Sequence, residues 1–386
     1  MDFSVDAEHE MLRAAVGDLA ARYGHAYFAE RTRAGDKADE LWQAIGDLGF
    51  LGVHLPEAYG GGGGGMAELA IVCEEVAAQG CPLLLILVSP AICAEVIARY
   101  GTDDQRERWL RPMAAGAKMV FAITEPDAGS NSHNLSTTAT RDGDTYRLRG
   151  TKTYISGVDE APQMLVVART GTDERTGRGR LSLFIVDTDA PGLERTLIPM
   201  EIAAPEKQFT LFLDDVEVGA DRLVGAEGEG LRQVFDGLNP ERIMSASICT
   251  GIGRYALDRA AAYAGEREVW GAPIGTHQGV AHPLAIAKIE LEQARLMTQK
   301  AAWMHDRSDD RVAAGEAANM AKYAAAEAGM RCLDAAIQTH GGNGLASEYG
   351  LADLWGLARL LRIAPVSREM VLNFVAQQSL GLPKSY

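Results

Sequence analysis

The hydrophobic period of this chain changes twice, and that alternation limits the fold more than any single residue does. Up to about residue 120, apolar residues recur at three- and four-residue spacing, so 10–21, 41–48, 67–78 and 105–114 read as amphipathic helices. From about 121 to 225 the pattern shortens to strand length. Segments 137–141 and 145–149 flank Asp142-Gly143, a hairpin-type turn, and 164–169, 181–187 and 209–218 read as further strands. Beyond Gly230 the helical period returns. Leu284, Ala287, Leu291, Ala294, Met297 and Ala301 form one apolar stripe suited to a helix bundle, and Pro240, Gly271, Gly341 and Pro365 punctuate the helices. The expected organisation is a helical unit over 1–120, a β unit over 121–225 and a helical bundle over 226–386. The period alone says only α+β.

Composition sets the surroundings. A chain of 386 residues that is 47% hydrophobic buries a large core and divides into two or three units. Its net charge of -16 argues against nucleic acid, whose phosphates need clustered Lys and Arg. A polyanionic small ligand stays possible where local cations and helix N-termini override the field. The five cysteines (73, 81, 93, 249 and 332) are odd in number and lack metal-type spacing, which fits reduced thiols in a cytosol better than a disulfide framework. The N-terminus, MDFSVDAEHE, has no apolar signal core, and the most apolar stretch, 83–88, is far short of the ~20 residues that span a bilayer. Neither export nor membrane insertion is expected. The glycine run 60–65 satisfies GxGxxG, but the preceding VHLP is too short for a buried parallel strand and no βαβ alternation follows, so a flexible loop is the expected reading. GAEGEG at 225–230 reads as the linker into the last bundle.

Two segments carry the chemistry: FAITEPDAGSN from Phe121 to Asn131 and YIS from Tyr154 to Ser156. Glu-Pro-Asp-Ala-Gly-Ser makes a tight polar turn, because Pro126 fixes φ and Gly129 permits positive φ, and leaves N–H groups free to face a ligand. With RxxxG from Arg267 to Gly271, Gln278, and QTHGGNG from Gln338 to Gly344 following in order, the chain resembles the acyl-CoA dehydrogenases over nearly its whole length. The resemblance implies an α+β fold with an N-terminal helical domain, a middle β domain and a C-terminal four-helix-bundle-like domain, and FAD as cofactor. Phe121, Thr124 and Ser130 would then lie along the flavin and the substrate thioester. Tyr154, in place of the more usual Trp, would pack on the ring, and the Ser156 hydroxyl would face its N5 edge. Arg267, Trp270 and Gln278 would reach the FAD of a neighbouring subunit, Arg267 at the pyrophosphate. Gln338, Gly341 and Gly342 would approach the adenine half from the same partner. A site shared in this way requires at least a dimer; a homotetramer is the implied assembly, with a hetero-oligomer as the alternative. Taken singly these residues have plainer readings: a tyrosine covering a core, a solvated Arg, a helix C-cap glycine.

The implied reaction removes the α-proton of an acyl-CoA (or acyl-carrier) thioester and passes the β-hydrogen as hydride to flavin N5. It leaves a trans-2-enoyl thioester, with an electron-transfer flavoprotein as the implied acceptor. It needs one carboxylate base and donors for the enolate oxygen. The chain departs from the commonest members at 364–367, APVS, where they carry Tyr-Glu-Gly-Thr with the base in it. Pro365 can neither accept a proton nor donate a backbone N–H, and the Val366 N–H is the expected replacement donor. Isovaleryl-CoA and long-chain acyl-CoA dehydrogenases carry their base on an earlier helix, and Glu241 in GLNPERI falls on the matching residue. Asn239, Pro240 and Glu241 also spell an ordinary helix start, with the acid near the positive helix end. Arg242 reads either as a contributor to CoA or thioester placement or as a helix-surface Arg. Small residues such as Gly237 and Ala364 leave room for a branched or bulky acyl group. A catalytically silent FAD-carrying subunit, and a flavin oxidase or monooxygenase on the same fold, are the competing readings.

Overall fold

A computed structural model describes residues 6–384. Helices come first: α1 (Ala7–Ala21), α2 (Gly24–Ala34), α3 (Asp39–Asp47) and α4 (Met66–Ala78), followed by short helical turns through Ala114. The run 60–65 is not a flexible loop. The N–H groups of Gly61, Gly62, Gly63 and Gly64 donate to the carbonyls of Pro56, Gly52, Leu55 and Val53 at 2.9–3.1 Å. A Cβ on Gly61 would lie 2.1 Å from the Leu55 carbonyl oxygen, so the run is glycine because two backbone segments close on each other there.

The middle of the chain folds into one eight-stranded sheet in the order β6-β7-β3-β2-β4-β5-β8, with β1 also paired to β4. The strands are β1 (Met119–Ala122), β2 (Thr138–Asp142), β3 (Thr145–Ser156), β4 (Gln163–Thr172), β5 (Gly179–Asp187), β6 (Leu193–Ile198), β7 (Gln208–Gly219) and β8 (Leu223–Val224). Alternation in β4 serves two cores. Met164, Val166 and Ala168 join the cluster that runs into the long helices, while Leu165 and Val167 join a second one with Ile92, Val96, Trp109 and Val234. A strand buried on both faces reads as a continuous apolar run, which is what 164–168 shows. The edge strand β6 is largely exposed and escapes period-based reading for that reason.

Three long helices form the last part: a first bundle helix (Gly230–Glu266), a second (Gln278–Arg307) and a third (Arg311–His340), with a shorter helix (Arg368–Phe374) against the third. Pro240 does not start a helix; it lies inside the first bundle helix, ten residues past its start. Asn239 and Glu241 are therefore interior helix residues, and the helix-start reading falls. Gly237 leaves no room either, since a Cβ there would meet Val96 Cγ2 at 2.9 Å and Ile92 Cγ2 at 3.0 Å. Buried Glu74 and Glu75 of α4 tie the first helices to the bundle. They accept from Arg13 of α1, from Arg254 of the first bundle helix and from Arg295 of the second. Burial alone would raise the Glu74 pKa, but the Arg295, Arg13 and Arg254 guanidinium groups hold it down to about 2.

One excursion from the sheet builds the turn that carries the signature residues. β1 and β2 pair with β4 at successive positions, Ala122 opposite Val166 and Thr138 opposite Arg169, so residues 123–137 leave and re-enter along a single strand. The Glu125 carboxylate closes this excursion from inside. It accepts from Ser136 N and Oγ at 2.6 Å each, from Thr137 N at 3.0 Å and from Lys152 Nζ at 2.8 Å. Lys152 also donates to the Ile123 carbonyl at 3.0 Å, and its side chain is fully buried. Burial would raise the Glu125 pKa, yet the ammonium and the converging N–H and O–H donors hold it at about 2. Breaking a buried pair leaves an uncompensated charge. Lys152→Met and Glu125→Gln should each destabilise the protein by about 3–5 kcal/mol, and the double substitution by less than their sum. Thermal and denaturant unfolding of the three variants checks this; additive losses would remove the pair from the account.

Candidate active site

The signature turn sits where the excursion meets β3. The Thr124 carbonyl accepts from Thr153 N at 2.9 Å, and Glu125 and Ala128 exchange backbone hydrogen bonds at 3.2 and 3.1 Å, closing the turn around Pro126 and Asp127. Gly129 does not use positive φ, and a Cβ there would meet nothing within 4 Å. This glycine keeps the turn's outer side open and makes no conformational demand. Phe121 is buried on β1, whereas Ser130 is exposed at the end of the turn.

Across from it, the β3–β7 register shifts between Lys152 and Ile155. The shift is a bulge, and it turns Tyr154 out of the pleat at φ 56° with its residue 58% exposed. Left-handed backbone is uncommon for a non-glycine residue and costs energy, so its use to expose an aromatic ring makes Tyr154 a candidate site residue. Two residues on, the Ser156 hydroxyl is within 3.0 Å of Gln208 Oε1 and 2.8 Å of Gln208 Nε2. An exposed aromatic face beside an oriented hydroxyl and an open turn fits a planar tricyclic ligand such as an isoalloxazine.

Glu241 lies on the first bundle helix, partly buried. Burial pushes its pKa up to about 8 against the opposing pull of the Arg242 and Lys322 cations. Glu241 lies inside the helix and not near its positive end, so no helix terminus offsets the burial. Arg242 is not a helix-surface residue. It is 9% exposed, donates from Nη1 to Asn239 Oδ1 at 2.6 Å, lies 5.9 Å from the Phe235 ring centroid, and its Nε has no partner among the described residues. Sequence reasoning missed Lys322 of the third bundle helix, which is 1% exposed and donates to the Val366 carbonyl at 2.6 Å. Its signal was a lysine at helical spacing among buried Ala318, Ala321 and Ala325. Lys152 was missed as well, though it falls on the inward parity of β3 with Tyr146 and Leu148.

The other predicted residues stand apart. Arg267 ends the first bundle helix, roughly 40 Å from Glu241 at 1.5 Å per residue. Trp270, 91% exposed at φ 55°, tips the hairpin of Glu268–Val269 and Ala272–Pro273, and Gln278 opens the second bundle helix. Gln338, Gly341 and Gly342 are exposed at the end of the third bundle helix, near the same place, because Tyr263 stacks on His340 with ring centroids 4.2 Å apart. A single chain thus brings together two groups of residues, one at each end of the long helix.

Family models agree with this architecture along the chain. The acyl-CoA dehydrogenase N-terminal domain matches residues 6–117, the middle domain 120–216 and the C-terminal domain 228–380. Acyl-CoA dehydrogenase FadE12 of Mycobacterium tuberculosis is 57% identical over 385 residues, covering 100% of this chain and 99% of that one. A solved glutaryl-coenzyme A dehydrogenase in complex with glutaryl-CoA superposes with a TM-score of 0.92 at 31% identity, covering 100% of this chain and 98% of that one. Butyryl-CoA dehydrogenase from Megasphaera elsdenii gives a TM-score of 0.91 at 28% identity, with 98% and 100% covered. Matched end to end in sequence and in fold, the chain belongs to the acyl-CoA dehydrogenases, a family of FAD-dependent oxidoreductases.

Proposed function

We propose that this protein dehydrogenates an acyl-CoA thioester between Cα and Cβ, with Glu241 as the base that takes the α-proton. The observation that carries the reading is the placement of Glu241. It is a carboxylate desolvated on the inner part of a long helix, in a chain whose residue 365 is proline. A base must hold its proton firmly enough to compete for a weakly acidic C–H, and a carboxyl raised to about 8 does so far better than an ordinary glutamate. Bound FAD supplies the two-electron acceptor for the β-hydrogen. The chain's own part is to seat the ring against Tyr154 and Ser156, to hold the turn with Glu125 and Lys152, and to take the proton at Glu241. Pro365 withholds an N–H from the thioester oxygen. The Val366 N–H, which donates to no group among the described residues, is the replacement donor in this reading.

The separation between the two groups of site residues supports a site completed by a second copy of the chain. Arg267, Trp270, Gln278, Gln338, Gly341 and Gly342 would serve the neighbour's FAD, and Phe121, Thr124, Ser130, Tyr154 and Ser156 their own. The assembly in this reading is a homotetramer, and the acceptor from the reduced flavin an electron-transfer flavoprotein. The tight packing at Gly237 removes one ground for a bulky acyl group and leaves Ala364 as the other.

Anaerobic mixing with acyl-CoA thioesters tests the reading, since a dehydrogenase bleaches its flavin and a silent subunit does not. Glu241→Gln should fold and bind FAD normally but reduce its flavin ~10²–10⁴ times more slowly. In the wild type the rate should climb with pH up to about 8, because only the ionised Glu241 accepts a proton. Reduction of the Gln variant at the wild-type rate would overturn the assignment. Arg267→Ala should weaken FAD retention by roughly 1.5–3 kcal/mol, the worth of a charge-assisted hydrogen bond. A wild-type monomer fully loaded with FAD would show that no second copy is needed.

A further inference from the structure

We infer that Lys322 is a positioning residue that couples the Glu241 base to the loop beyond Pro365, its ammonium holding the Val366 carbonyl while lying within electrostatic reach of the Glu241 carboxylate. The inference rests on Glu241 being the base. It starts from an unusual burial: a lysine 1% exposed, with three N–H donors, one carbonyl acceptor at 2.6 Å and no carboxylate within 4.0 Å among the described residues. A buried ammonium is costly unless charge nearby compensates it.

The groups that act on Lys322 leave one candidate for that compensation. The third bundle helix lies along the first, with a Cβ on Gly315 meeting Asn239 Nδ2 at 3.4 Å and one on Gly329 meeting the Cys249 carbonyl at 2.6 Å. Lys322, midway between, therefore faces the stretch that carries Glu241, Arg242 and Cys249, while Glu327 shares its own helix. Glu327 is already engaged, by Arg362 at 2.9 Å and Arg368 at 3.0 Å. Burial pushes the Cys249 thiol up to about 12, and burial together with Glu241 raises Cys93, in the segment Ser89–Ala94, well above the ordinary thiol value, so both stay neutral. Arg242 is a second cation. Glu241 is therefore the carboxylate that two buried cations share, with no hydrogen-bond donor of its own among the described residues, and ionising it offsets their repulsion. Lys322 adds what Arg242 does not, a fixed hold on the residue whose N–H is the replacement donor. Base and loop are thus referenced to one side chain.

The test is the pH profile of anaerobic flavin reduction in FAD-loaded tetramer, with butyryl-, isovaleryl- and octanoyl-CoA as probes. Lys322→Met should move the rising limb to higher pH by about 1 unit or more and slow reduction at pH 7 at least about tenfold, since an opposite charge within reach lowers a carboxyl pKa by that order. Lys322→Arg should restore the rising limb. The Lys322 pKa is itself lowered by burial to about 8, so Arg should also remove any falling limb at alkaline pH. That last comparison stands even if the Met variant fails to fold. A folded, FAD-loaded Met variant with an unmoved profile, or an Arg variant that copies the Met defect, would overturn the inference. Wild-type reduction by Glu241→Gln would instead remove the base reading beneath it, so the two failures are told apart.

Discussion

The helix Gly230–Glu266 comes backbone-close to its neighbours: a methyl group on Gly251 would sit 2.5 Å from the Glu74 carbonyl oxygen, and one on Gly237 2.9 Å from Val96 Cγ2. That closeness places the inner face of the helix between the second hydrophobic cluster, α4 and the third bundle helix at once. Dispersion contacts in such a seam are lost steeply when elements part, so the helix cannot shift locally to hydrate a charge. The desolvation of Glu241 is a result of this closeness. Its raised proton affinity is imposed by the packing of a whole helix and not by one neighbouring group.

Against that rigid seam, the sheet supplies the adaptable part of the site. The excursion 123–137 packs Ala128 and Leu135 into the second hydrophobic cluster and is closed from inside by Glu125, while the bulge in β3 presents Tyr154 in backbone that a regular ladder would forbid. Charge therefore organises the turn, and burial sets the proton affinity of Glu241. The two effects have opposite signs on a carboxyl: Glu125, 3% exposed, is driven down to about 2, and the partly buried Glu241 up to about 8. What separates them is the count of donors. Four converge on Glu125, while Glu241 has only cations at a distance.

Much of this was legible in the residues, and the exceptions have physical causes. Periodicity found α1, α3, α4, the second bundle helix, the Asp142-Gly143 hairpin and the apolar strands because burial there alternates or persists over several residues, but it passed over α2. It could not find β6, whose residues are mostly solvated, or see that Pro240 is carried inside a helix held from all sides by tertiary contacts. The glycine run was misread as flexible because composition reports conformational freedom, whereas space around the chain decides whether that freedom is used. Lys152 and Lys322 were passed over because a lysine in a sequence carries the prior of the surface. Only the partners, a carboxylate in one case and a peptide carbonyl in the other, show why these two are inside.

The five cysteines have a meaning for an enzyme of this family that composition did not suggest. All are free and buried, and burial raises the thiol pKa of Cys81, Cys249 and Cys332 to about 12 and those of Cys73 and Cys93 well above the ordinary thiol value. An α,β-unsaturated thioester is an electrophile toward thiolates, and the thiolate, not the thiol, is the form that attacks it. Cys93, nearest in charge to Glu241, has its thiol tied to the Val120 carbonyl at 3.5 Å and is pushed toward the neutral form by the same carboxylate. The interior that raises the affinity of Glu241 for a proton also keeps the protein's own nucleophiles out of reach of its product.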